Sequence, residues 1–227
     1  GGSKGIKNKN LLKINNKTLV QLALENAISS KLINEIYLSS DSKNILDQAK
    51  KFPSVKIHIR NKKAANDRSG SKEVIEDFLN KNQYLKSRNS LLVYIQPSSP
   101  FLNYKHIDKS IKIFQKLKKN TLITCYKPDY DLNEKIFKSF ILSKKKNLSP
   151  LFKKNTIVSP RQSLGQILLP NGAFFIFKIK KNFLKEYINL KKSYGYIMNK
   201  NEVVDINTYE DYLKAKKVFN SGWLNFF

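Results

Sequence analysis

Ser90-Leu91-Leu92-Val93-Tyr94-Ile95-Gln96-Pro97-Ser98-Ser99-Pro100 is an apolar run of strand length, closed by two prolines and two serines. The run is long enough for a strand and too short for a typical helix. Proline continues neither a sheet ladder nor a helix, so the chain must turn at Gln96 to Pro100. Strand and helix patterns alternate on both sides of this run. Upstream, Thr18 to Leu32 carries apolar residues at helical spacing behind Thr18 as N-cap, and Glu35 to Ser39 reads as a strand. A helix from Lys43 to Lys51, a strand from Val55 to Arg60 and a helix from Ser71 to Tyr84 follow. Downstream, His106 to Leu117 reads as a helix and Thr121 to Tyr126 as the next strand. Regular alternation of short apolar strands with helices predicts an α/β domain with a mostly parallel sheet flanked by helices. Such sheets place ligands beyond the carboxyl ends of their strands. The loops starting at Asp41, Arg60 and Gln96 all follow strands, so one rim should hold them.

The alternation breaks over about 128–170, where two extended stretches surround a lysine-rich loop, Lys144-Lys145-Lys146. This region and a shorter one near 190–200 read as an insertion, a lid or dimerisation elements within a single domain spanning 1–227. Regular structure returns with a strand from Gly172 to Ile179 and a helix from Lys181 to Leu190. A strand from Tyr194 to Met198 and a helix from Thr208 to Phe219 complete the pattern.

Composition narrows the function. The chain has 227 residues, 41% of them hydrophobic, enough for a proper core. No apolar run reaches the roughly 18 residues that cross a bilayer. The single Cys125 lies in an apolar strand, so neither a disulfide framework nor a cysteine zinc site can form, and a reducing cytoplasm is the expected compartment. The net charge of +26 raises the possibility of a nucleic-acid partner. Yet all but four of the 43 basic residues are lysine, spread along the chain, whereas bidentate phosphate and base-edge readers favour arginine. The spread of lysines, accompanied by many asparagines, reads as a lysine-heavy coding bias, with attraction of small anionic substrates as a by-product of the charge.

The chain starts Gly1-Gly2-Ser3-Lys4-Gly5-Ile6-Lys7-Asn8-Lys9-Asn10. Glycine lets backbone N–H groups approach a ligand and lysine adds positive charge. The composition fits a polyphosphate cradle and a surface turn equally well, and the spacing matches neither a Walker A loop nor a dinucleotide fingerprint. Arg60 reads as a surface ion-pair partner or an anion ligand. Asp205, just ahead of a helix, reads as an N-cap or a metal ligand. His58 and His106 have no convergent partners in the sequence, so neither is given a catalytic role.

A set of ordered motifs carries a family resemblance. The Gly1 to Asn10 loop, Ser39-Ser40-Asp41, Arg60 with Ala65-Asn66-Asp67, Gln96-Pro97-Ser98-Ser99-Pro100, Pro160-Arg161-Gln162 with Pro170-Asn171-Gly172-Ala173, and Val204-Asp205-Ile206-Asn207-Thr208 recur in this order. The chain resembles the acylneuraminate cytidylyltransferases (CMP-sialic acid synthetases), whose relatives activate legionaminic and pseudaminic acids. The resemblance implies a Rossmann-like nucleotidyltransferase fold, Mg2+ as cofactor, and CTP and an acidic nine-carbon sugar as substrates, in a homodimer. It implies that Gly2, Ser3, Lys9, Asn10, Arg60, Asp67 and Ser71 bind nucleotide, and that Gln96, Arg161 and Asn171 bind sugar. Lys9 and Asp205 would act in catalysis, with Asp205 and Asn207 on the metal. Many members have a second aspartate at the position of Asn207, and an opening strand ahead of the glycine loop. That strand is expected to be lacking here, since the chain starts at the loop. A catalytically impaired relative and a basic nucleic-acid-binding protein are the rival readings.

Overall fold

In the computed structural model the described residues are 6–61, 70–144, 146–152, 160–180, 183–202 and 204–221, excluding the side chains at 87, 161, 185, 186 and 201. Among the described residues a 3-10 turn, Lys9–Leu11, leads into a short hairpin, β1 (Lys13–Ile14) and β2 (Lys17–Thr18). Asn15 and Asn16 turn it at φ of 46° and 62°, the left-handed pair that a tight two-residue turn requires. Helix α1 (Leu19–Ser29) follows, and Thr18 is its N-cap as predicted. The Thr18 hydroxyl accepts from Gln21 N, and the Gln21 side chain accepts from Thr18 N.

The next elements are β3 (Ile36–Ser40), α2 (Lys43–Leu46), β4 (Val55–Ile59), α3 (Ser71–Lys81), α4 (Tyr84–Ser87) and β5 (Leu91–Ile95). Helix α2 passes directly into a 3-10 segment, Asp47–Lys51, so the predicted helix is present but tightens. Then come α5 (Tyr104–Lys116), β6 (Thr121–Tyr126), α6 (Tyr130–Phe137), β7 (Phe140–Leu142), β8 (Leu148–Pro150), β9 (Leu169–Lys178), β10 (Ser193–Met198) and α7 (Tyr209–Asn220). The two extended stretches expected around the lysine-rich loop are β7 and β8, an antiparallel pair. Helix α6 was not anticipated. Asp129 caps it by accepting from Leu132 N. The helix expected from Lys181 to Leu190 is replaced, within the described residues, by two 3-10 turns, Phe183–Glu186 and Leu190–Lys192. Tertiary packing overrides the helical pattern there. Tyr187 stacks on Phe177 at 5.3 Å and Phe183 meets Phe177 edge-on at 5.5 Å.

The main sheet has the order β10-β6-β9-β5. Strands β10 and β6 are parallel, whereas β9 runs antiparallel to both β6 and β5. Three of the four strands therefore share a direction, and one opposes it. The alternation pattern cannot reveal this reversal, because periodicity carries no strand direction. Strand β3 pairs in parallel with β4 as a separate two-stranded sheet. On one face of β5, Leu91, Val93 and Ile95 pack with α5, and on the other Leu92 and Tyr94 pack with α3.

Between β3 and β5 lies a cavity of about 900 Å³, lined by all five residues of each strand. A cavity over a sheet face would touch alternate residues, so contact with consecutive residues means that it runs along both strand edges. It lies between β3 and β5, where the sheet is interrupted, and the N-terminal loop reaches its mouth through Asn8, Lys9 and Asn10. Cys125 is buried, and burial pushes its thiol pKa up.

The cap of α7 bears on the N-cap reading of Asp205. Thr208, not Asp205, caps this helix: its hydroxyl accepts from Asp211 N, and Asp211 accepts from the Thr208 and Asn207 amides. Thr208→Ala should lower stability by about 1 kcal/mol in urea unfolding. Asp205→Ala should leave the unfolding midpoint within error of wild type, whereas a loss equal to that of Thr208→Ala would restore the capping role.

Candidate active site

The site forms where the N-terminal turn meets the segment before α7. Ile6 and Leu12 pack against a cluster of Ile14, Leu19, Leu22, Phe101, Ile206 and Tyr212. This cluster brings Lys9 to Ile206 across 197 residues of sequence, and Lys9 Nζ donates to Ile206 O at 2.7 Å. Lys9 Nζ also reaches Asn207 Oδ1 at 3.4 Å, while Asn207 Nδ2 donates to Asp205 Oδ2 at 2.9 Å. Lysine can only donate and a carboxylate can only accept, so these two neighbours fix the orientation of the Asn207 amide. Asn207 thus bridges Lys9 and Asp205, with its NH2 rather than its oxygen towards the carboxylate.

Asp205 Oδ1 is buried and has no hydrogen-bond partner among the described residues. An uncompensated carboxylate oxygen is costly in a protein interior and suits a cation. Among the described residues no group of three or more His, Cys, Asp or Glu converges as a metal cage. One free carboxylate oxygen fits a magnesium ion that keeps its waters and leans on substrate phosphates.

The turn after β5 is tied to the same place. Gln96 N donates to Ala173 O and Ile206 N donates to Ser98 O. Gly172, between them, has φ of +68°. A Cβ there would stand 3.1 Å from Gln96 Oε1 and 3.5 Å from Asp205 Oδ2, so these two side chains converge on one spot. Asn171 is buried, and its amide is engaged internally. It accepts from Ala173 N and donates to Met198 Sδ. Its structural part is therefore to hold the Gly172 turn that Gln96 and Asp205 face.

Arg60 and Gln96 line the cavity together with Lys9, Asn10 and Ser40, so two of the three expected loops share it, while β3 contributes its last residue Ser40 rather than Asp41. Ser71 does not line it. Its hydroxyl, in the first residue of α3, faces the Tyr187 hydroxyl at 2.5 Å. Gly2, Ser3 and Asp67 lie outside the described residues, as does the Arg161 side chain. Tyr94 lines the cavity too, and burial raises its phenol pKa, keeping it a neutral donor.

The sequence reading missed one cluster. His58 does have convergent partners: Ser39 Oγ lies 2.8 Å from its Nδ1, and Asp77 Oδ2 lies 3.4 Å from its Nε2. Ser39 and His58 face each other in the β3–β4 register. A signal for Asp77 existed, because it is a charge on the apolar stripe of Val74, Ile75, Phe78 and Leu79.

Gly172→Ala should cost about 1–2 kcal/mol, from the left-handed backbone alone. It should also displace Gln96 and Asp205. A thermal melt and a ligand-binding assay on the same variant check both effects, and unchanged values in both would contradict this geometry.

Residues 1–222 match the family model described as Cytidylyltransferase. The pseudaminic acid cytidylyltransferase of Campylobacter jejuni is 25% identical over 222 residues, 96% of this chain and 92% of that protein. The CMP-N,N'-diacetyllegionaminic acid synthase of C. jejuni is 28% identical, covering 93% of this chain and 88% of its own length. A solved CMP:2-keto-3-deoxy-manno-octonic acid synthetase complexed with CTP shares the fold at a TM-score of 0.69 and 11% identity, covering 97% of this chain and 95% of that one. With the match running through the N-terminal loop, the cavity rim and the Asp205 segment alike, this chain belongs to the cytidylyltransferase family of nucleotidyltransferases.

Proposed function

We propose that this protein joins CTP to an acidic nine-carbon sugar of the sialic, legionaminic or pseudaminic type, with Mg2+ as cofactor. The convergence of Lys9, Asn10, Arg60 and Gln96 on one cavity, with Asp205 beside its rim, carries this reading. The names of the similar proteins support the substrate class. In the reaction the anomeric hydroxyl of the sugar gives up its proton to solvent as its oxygen attacks the α-phosphorus. The bond from that phosphorus to the bridging oxygen breaks, and pyrophosphate leaves with the electron pair.

Catalysis of this kind rests on positioning and on neutralising charge. The Lys9 ammonium, held by Ile206 O, would offset charge on the leaving pyrophosphate. Arg60 would hold phosphate oxygens, and Asn10 would bind beside the ribose or phosphates. Gln96, able to donate and accept, suits a polyhydroxylated sugar. Arg161 would pair with the sugar carboxylate through a bidentate fork, and Asn171 would support the pocket from behind. Gly2 and Ser3 would add backbone N–H donors to the phosphates, and Asp67 would border the base, whereas Ser71 faces Tyr187 away from the cavity lining. Asp205 Oδ1 would hold the metal, with Asn207 steadying the carboxylate. Bound there, Mg2+ would withdraw charge from the triphosphate. The net positive charge of the chain would draw both anionic substrates in.

Pyrophosphate release from CTP, Mg2+ and a panel of nine-carbon ulosonic acids tests this reading. One sugar should support turnover, and Asp205→Ala should abolish it without unfolding the protein. No release with any sugar would overturn the enzyme reading, and full activity in Asp205→Ala would remove the metal role.

We also propose that two copies associate through the β7–β8 hairpin. Phe140, Ile141, Leu142 and Leu148 are each 47–65% exposed there, an apolar patch costly to leave in water. Sedimentation should give a dimer for wild type and a monomer for Leu142→Glu. A monomeric wild type would contradict the association.

A further inference from the structure

We propose that Ser39, His58 and Asp77 are positioning residues which together hold the Arg60 guanidinium at the cavity rim. The inference rests on the reading of Arg60 as a nucleotide-phosphate contact, and it concerns how that contact is aimed. Arg60 Nε donates to Ser39 Oγ at 3.0 Å, and a terminal N–H of the same guanidinium donates to Ser39 O at 2.9 Å. Both bonds go to one residue at the end of β3, so they fix the plane of the guanidinium and not merely its position. The group has five donors, and the three not given to Ser39 can serve an anion in the cavity that Arg60 lines.

The direction of the hydrogen-bond chain follows from elementary chemistry. Arginine cannot accept, so Ser39 Oγ is the acceptor towards Arg60. A serine oxygen carries two lone pairs as well as a proton, so the tautomer of His58, whose Nδ1 lies 2.8 Å away, decides the direction of that bond. The far end sets the tautomer: Nε2 faces Asp77 Oδ2 at 3.4 Å, where a lone pair would oppose a carboxylate, so the ring proton sits on Nε2. Nδ1 is then bare and accepts the Ser39 proton. The approach of Nε2 to Asp77 does not meet hydrogen-bond geometry, and among the described residues Nε2 has no other partner, so the contact is an electrostatic one. Asn61 clamps the carboxylate through its backbone N and its side-chain amide, at 3.0 and 2.6 Å. The edge-on contact of the Phe78 ring with His58 fixes the imidazole plane.

His58 and Asp77 are 4% and 5% exposed. Burial lowers the His58 pKa, outweighing the opposing pull of Asp77, and the Lys81 and Arg60 charges lower it further. The neutral imidazole that the chain requires is thus the form its surroundings favour. A network serving only to join β3 and β4 would not need to deliver its last hydroxyl to a cation facing the cavity.

The test reads Arg60 directly. The chain has four arginines, so 15N-arginine labelling gives few Nε–H signals, and Arg60→Lys identifies the one of interest. In wild type this proton should exchange slowly. In His58→Leu it should exchange at the free-arginine rate, and in His58→Asn, whose amide oxygen can take the place of Nδ1, slow exchange should return. Ser39→Ala, which leaves the buried pair intact, should release the same proton and serves if His58→Leu does not fold. For the enzyme, His58→Leu should raise KM for CTP about tenfold, the scale of losing a hydrogen bond to a charged group, with kcat within about twofold. In an Arg60→Ala background the same change should add nothing. An Arg60 proton unmoved in folded His58→Leu and Ser39→Ala overturns the positioning role. Release of the proton in a protein that turns over no CTP upholds that role and removes the reading of the activity.

Discussion

One contact organises the site. The Lys9 ammonium donates to the Ile206 carbonyl, joining the turn at residues 6–12 to the segment just before α7. The apolar cluster of Ile14, Leu19, Phe101, Ile206 and Tyr212 supplies the force, and the hydrogen bond supplies the register. Because Ile206 is fully buried, Asp205 and Asn207 on either side of it are set at a fixed depth. Lysine, amide and carboxylate then stand in sequence, Lys9 to Asn207 to Asp205, with one carboxylate oxygen left over.

The rest of the site is built by strands that end together. The end of β3 and the residues just after β4 and β5 bring Ser40, Arg60 and Gln96 to a common cavity, which also runs along the edges of β3 and β5. Gly172, within β9, carries no side chain and so leaves room for Gln96 and Asp205 to converge on it. The protein thus assembles its polar groups from distant segments, each aimed by backbone bonds rather than by long free side chains.

Much of this was legible in the sequence. The apolar run Leu91 to Ile95 and the prolines behind it gave β5 and its turn, and Thr18 announced the start of α1. Asn15-Asn16, a turn signal between Ile14 and Lys17, was there to be read and marks the β1–β2 hairpin. The direction of β9 was not legible, because it is decided by which neighbours a strand meets. The aromatic stacking of Phe177, Phe183 and Tyr187 likewise overrides a helical pattern that local spacing favoured. Lys9 and Asp205 were legible through motif order, but the role of Asn207 as a bridge was not. The Ser39–His58–Asp77 chain was illegible for a similar reason, since strand register and helix face join residues that spacing does not relate.

A crystal structure with CTP and Mg2+ bound is the most direct measurement. The triphosphate should lie against Lys9 and Arg60, with the metal on Asp205 Oδ1 and Asn207 still bridging. A triphosphate bound away from these groups, or a metal that leaves Asp205 untouched, would contradict the site described above.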